Sequence, residues 1–105
     1  MDARILDELY AMIESRRDAD PEQSWTAKLL AEAPDLPAAK LGEEAVECVI
    51  EAMRGDDQAL TREAADLIYH LLVVLAAAGV SPADVWTELK KRQGQSGIAE
   101  KMNRN

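Results

Sequence analysis

Glu63-Ala64-Ala65-Asp66-Leu67-Ile68-Tyr69-His70-Leu71-Leu72-Val73-Val74-Leu75 decides the fold of this chain. Wound into an α-helix, it places Glu63, Asp66 and His70 on one face, because residues three and four apart are neighbours. That face continues as Val73 and Val74, and the other sides hold Ala64, Ala65, Leu67, Ile68, Tyr69, Leu71, Leu72 and Leu75. Past Asp66 almost no side suits water. A helix apolar all round is buried all round, and a small chain has too little mass to bury one alone. The stretch therefore predicts an all-α helical bundle completed by homodimerisation, with this helix near the shared core.

The preceding helical segment carries a matching anomaly. Lys40, Glu44, Glu47 and Glu51 fall within a narrow arc at about 100° per residue, with Glu43 and Arg54 at its edges. The rest is Leu41, Gly42, Ala45, Val46, Cys48, Val49, Ile50, Ala52 and Met53, so this helix also reads as largely enclosed. The bland interpretation is a solvated acidic stripe, the usual fate of charge on a helix. Against it, two enclosed helices would bring two carboxylate faces together. Two carboxylates about 4 Å apart repel by roughly 4 kcal/mol at an effective dielectric near 20. A cation between them removes that repulsion, and an all-oxygen ligand set suits Mg²⁺, with Mn²⁺ as the alternative.

Further out, local signals divide the 105 residues into about five helices in one domain spanning 1–105. Ile5, Leu6, Leu9, Met12 and Ile13 recur at helical spacing, ending in the charged stretch 15–20. Ser24 caps a short second helix through Trp25, Leu29 and Leu30 that ends before Pro34. Asp35 is read as the cap of the third helix, which runs to about Arg54 with Gly55 as its C′ residue. Asp56 or Asp57 opens the fourth, which stops at Gly79. Ser81-Pro82-Ala83-Asp84 opens the fifth with a cap, a proline at N1 and an acid at N3. From Gln93 onward the tail reads as irregular. No strand pattern competes.

The charge balance narrows the partners. A formal net charge of -8 argues against nucleic acid or an anionic membrane, since both call for a basic patch. The apolar run 67–78 is too short to span a bilayer, and no leader peptide is evident, so a cytoplasmic location is expected. The lone Cys48 cannot form an intrachain disulfide and reads as a small buried residue. His70 reads as a core histidine, with orientation of a carboxylate or a water as the other reading. Lys40, one turn before Glu44, makes either an ordinary ion pair or a phosphate contact. Lys28 alone is a surface lysine. Arg92, Gly94, Ser96, Gly97 and Lys101 combine glycines, a hydroxyl and cations, a composition that can present N–H groups and charge to phosphate.

Glu44-Ala45-Val46-Glu47 followed by Glu63-Ala64-Ala65-Asp66 resembles the Glu-x-x-Glu…Glu-x-x-Asp signature of the all-α nucleoside triphosphate pyrophosphatases. The blocks Ser24-Trp25-Thr26-Ala27-Lys28-Leu29-Leu30, Lys40 to Glu47, Glu63 to Leu72 and Arg92 to Lys101 narrow the resemblance to the phosphoribosyl-ATP pyrophosphohydrolase family, in its stand-alone form. Trp25 stands where that family is expected to carry Tyr most often. The resemblance implies hydrolysis of N1-(5-phosphoribosyl)-ATP to phosphoribosyl-AMP and pyrophosphate, the second step of histidine biosynthesis. It implies Glu44, Glu47, Glu63 and Asp66 as metal ligands and Glu43 as an extra ligand or the residue that orients water. Lys28, Lys40, Arg92 and Lys101 would grip phosphates, with Ser96 and Gly97 lending hydrogen bonds. Two rival readings share the acids: a house-cleaning pyrophosphatase acting on dUTP or damaged nucleotides, and a non-enzymatic acidic helical interaction module.

Overall fold

The computed structural model describes residues 4–93 and, among them, five α-helices and no strand. They are α1 Arg4–Ser15, α2 Trp25–Ala31, α3 Asp35–Arg54, α4 Asp57–Ala78 and α5 Pro82–Arg92. Their ends follow local chemistry. The Ser24 hydroxyl accepts from the Ala27 amide at 3.1 Å, Asp56 from Ala59 at 3.0 Å and Ser81 from Ala83 at 3.1 Å. Each thereby satisfies an amide that lacks a partner in the first turn. Gly55 and Gly79 close α3 and α4 with φ of 75° and 74°, left-handed values that glycine takes without a Cβ clash.

One cap differs from the sequence expectation. Asp35 is the first residue of α3 rather than its cap, and Pro34 takes the cap position with no side-chain bond to the helix. The chain turns from α2 into α3 through backbone bonds, including the Leu36 amide to the Glu32 carbonyl at 3.1 Å. Asp35 still lies where a negative charge complements the helix dipole.

Ile13 of α1, Leu29 of α2 and Leu72, Val73 and Ala76 of α4 form the buried core, with Leu6, Leu9, Leu36, Tyr69 and Leu75 packed around it. The Tyr10 hydroxyl donates to the Val80 carbonyl at 3.1 Å, and the Arg17 guanidinium donates to the Ala76 carbonyl, so α1 is tied to the end of α4. α3 lies along α4 in the most extensive helix pairing of the molecule, and α5 turns away without comparable packing on the other helices. Among the described residues the bundle therefore has four packed helices and one that diverges.

The sense of α3 is the unexpected feature. Leu41, Glu44, Cys48 and Glu51 are half-buried on the side toward α4. Val46, Val49, Ile50 and Met53 form a single i, i+3, i+4, i+7 stripe facing outward, 58%, 61%, 43% and 84% exposed. The sequence reading expected this helix to be enclosed; within one chain its apolar stripe is open. On α4, Ile68 and Leu71 are likewise exposed, so a single chain does not bury this helix all round. Among the described residues no single helix is long and apolar enough to cross a membrane.

Candidate metal and substrate site

The pairing of α3 with α4 turns the predicted acids toward each other. One carboxylate oxygen from each of Glu44, Glu63 and Asp66 lies within 4.8 Å of the others. Glu44 and Glu63 are half-buried, and Asp66 is exposed at the rim. Glu44 Oε2 is buried with no hydrogen-bond partner. The Glu63 carboxyl is pushed up from its ordinary range, first by sharing a proton with Glu44, then by burial, then by the charges of Glu44, Asp66 and Glu51. A buried oxygen without a donor costs free energy, and carboxylates that push one another's pKa up mark a shortage of positive charge. Three oxygen donors around that shortage fit a hard divalent cation.

Glu47 and Glu43 are exposed on the same helix, outside this three-residue group. Lys40 reaches Glu43 at 3.1 Å rather than Glu44, because the Glu44 carboxylate is turned toward α4. The same lysine places its ammonium 5.8 Å from the centre of the Trp25 ring. Lys28 is exposed on α2. Arg92 stands at the end of α5, where its Nε donates to Glu88 Oε1 at 3.1 Å. Ser96, Gly97 and Lys101 lie outside the described residues.

Two neighbours complete the setting. Partial burial, followed by the charges of Glu63, Glu44 and Asp66, pushes the Cys48 thiol up, which keeps it protonated and unsuited to nucleophilic attack. His70 is buried; its Nδ1 bonds the Asp66 carbonyl at 2.8 Å, and its Nε2 has no partner among the described residues. The hydroxyls of Thr26 and Tyr69 are hydrogen-bonded, which pins α2 to α4 one turn past Asp66. Glu51 belongs to the same acidic surroundings. Its Oε1 is buried, lacks a hydrogen bond and faces Arg54 at 3.4 Å. Its place two turns beyond Glu44 was the available sign of this. Nothing in the spacing foretold that Trp25 would meet Lys40.

Residues 6–93 match the family model described as phosphoribosyl-ATP pyrophosphohydrolase. The chain belongs to the phosphoribosyl-ATP pyrophosphohydrolase family. Its relatives include the phosphoribosyl-ATP pyrophosphatase of Cereibacter sphaeroides, 58% identical over 100 residues that cover 95% of this chain and 97% of the relative. That of Roseobacter denitrificans is 59% identical over 99 residues, 94% of each chain. That of Azospirillum brasilense is 57% identical, covering 94% of this chain and 89% of the relative. The match to the family spans both helices that carry the acid group.

Proposed function

We propose that this protein hydrolyses N1-(5-phosphoribosyl)-ATP between its α- and β-phosphates, giving phosphoribosyl-AMP and pyrophosphate in the second step of histidine biosynthesis. The observation that carries the chemistry is the convergence of Glu44, Glu63 and Asp66 around a buried, partnerless carboxylate oxygen. Family membership supplies the substrate. These three residues hold Mg²⁺, with Mn²⁺ as the alternative, and Glu47 supplies a fourth carboxylate from the same helix arc. A bound divalent cation neutralises phosphate charge and lowers the pKa of water.

The chain's own groups do the rest. The Lys40 ammonium, held beside the acids by Glu43, transfers to a phosphate oxygen when substrate arrives. Glu43 Oε2 is then released to accept a hydrogen bond from the attacking water and orient it. Lys28 binds a second phosphate. Arg92, Ser96, Gly97 and Lys101 complete the phosphate contacts. The divergence of α5 from its own bundle favours their acting in the site of a second copy. The outward stripe of Val46, Val49, Ile50 and Met53 supports a homodimer built through α3.

The test is to incubate the protein with Mg²⁺ and phosphoribosyl-ATP and to follow pyrophosphate, with dUTP and dCTP in parallel. Release from phosphoribosyl-ATP at the highest kcat/KM is expected. Faster turnover of dUTP or dCTP overturns the substrate, and no turnover of any of them overturns the activity.

A further inference from the structure

Trp25 is the first residue of α2, yet 45% of its surface is exposed. The hydrogen bond between the next residue, Thr26, and Tyr69 anchors the start of α2 to α4. The Lys40 ammonium lies 5.8 Å from the ring centre, and its Glu43 partner adjoins Glu44 of the acid group. The indole also lines a cavity of about 630 Å³ that includes Lys28, Glu22 and Glu32. That volume is within the roughly 300–1,000 Å³ of small-molecule sites. Trp25 thus stands between the Lys28 cavity, which its ring lines, and Lys40, one turn before Glu44 on α3.

The chemistry of the substrate class matches this layout. An adenine substituted at N1 is far more basic than adenine itself, so its ring carries positive charge near neutral pH. A cationic aromatic ring gains both from stacking on indole and from its negative π-face. The cavity supplies two carboxylates, Glu22 and Glu32, to a cationic base and one ammonium, Lys28, to a phosphate.

We infer that Trp25 is the platform for the N1-substituted adenine and that it selects this cationic base over ordinary adenine. The inference rests on the activity proposed above. The triphosphate extends from the platform past Lys40 toward Glu44, Glu63 and Asp66, and the phosphoribosyl arm extends toward Lys28. Lys40 is accordingly displaced from the indole toward phosphate as the base arrives.

The test uses Trp86→Phe protein, which leaves Trp25 as the only tryptophan. It is titrated with N1-methyl-AMP and with AMP while emission is followed. Quenching by the methylated nucleotide, with about tenfold tighter binding than AMP, is expected. Trp25→Leu raises KM for phosphoribosyl-ATP about tenfold, the usual order for a lost stacking partner, with kcat little changed, and Trp25→Tyr restores KM. Equal affinity for the two nucleotides, absent quenching, or an unchanged KM in folded Trp25→Leu overturns the inference. If Trp25→Leu does not fold, the titration of unmutated Trp25 decides. Failure of the proposed activity is seen separately, as wild-type protein that releases no pyrophosphate from phosphoribosyl-ATP.

Discussion

Replacing Val49 with lysine tests whether the outward stripe of α3 is an interface. Full burial of a Val, Ile or Met side chain is worth about 2 kcal/mol. Scaled by their exposed fractions, Val46, Val49, Ile50 and Met53 hold about 5 kcal/mol of unused burial per copy. A symmetric pair doubles that to about 10 kcal/mol, the same order as the roughly 4–15 kcal/mol lost in freedom on association. An assembly balanced so closely responds to single changes. Val49 is 61% exposed and occurs twice in a dimer, so its share is about 2.4 kcal/mol, or roughly 50-fold in Kd. An ammonium in its place adds a desolvation cost. Sedimentation equilibrium over a range up to hundreds of micromolar should show wild-type protein in a monomer–dimer equilibrium and Val49→Lys shifted toward monomer by at least that factor. Far-UV circular dichroism should show helix retained. A wild type that stays monomeric, or a Val49→Lys dimer as tight as wild type, would refute the reasoning.

Three further outcomes are expected. Glu63→Gln should abolish Mg²⁺ and Mn²⁺ binding in isothermal titration while the chain stays folded; unchanged binding would remove Glu63 from the ligand set. In chelator, pH should act on the same carboxyl. A group whose pKa is raised on folding binds its proton more tightly when folded, so folding takes up protons between its ordinary 4.5 and the raised value. Cation-free wild type should therefore lose stability, relative to Glu63→Gln, as pH climbs through that window. Glu14, held low by the Arg17 guanidinium, gives the opposite slope and cancels in the comparison. Parallel denaturation curves at each pH check this, and a difference that is flat or reversed counts against it. Leu72→Ala, at a site 2% exposed in the core, should cost about 2–5 kcal/mol of unfolding free energy, measured by urea titration. A loss below about 1 kcal/mol would mean that the core does not converge there.

The helix ends were legible because their causes are local. Ser24, Asp56 and Ser81 cap through atoms two or three residues away, and Gly55 and Gly79 answer a backbone angle. The acid group was legible as two faces, since spacing alone puts Glu44 with Glu47 and Glu63 with Asp66. What spacing does not carry is which side of a helix meets its neighbour. The structure turns Glu44 inward to Glu63 and leaves Glu47 exposed, although both share one arc. For the same reason the choice of Glu43 over Glu44 by Lys40 was not legible: it depends on α4, a separate helix further along the chain. Asp35 failed as a cap because the turn out of α2 is held by backbone bonds, which leave the capping position to Pro34.

The reversed sense of α3 has a consequence for how the protein reaches its working form. The helix is a partition whose two sides await different visitors: carboxylates toward α4 and an apolar stripe toward the exterior. Among the described residues, neither side is finished by the chain itself. Under the proposed function a cation would answer one and a second copy the other, so both would bear on the same helix. On that reading each arrival would favour the next. At low protein concentration the affinity for metal should fall, and in the absence of metal the dimer should loosen, so supply of the ion and abundance of the chain would be read through one shared element.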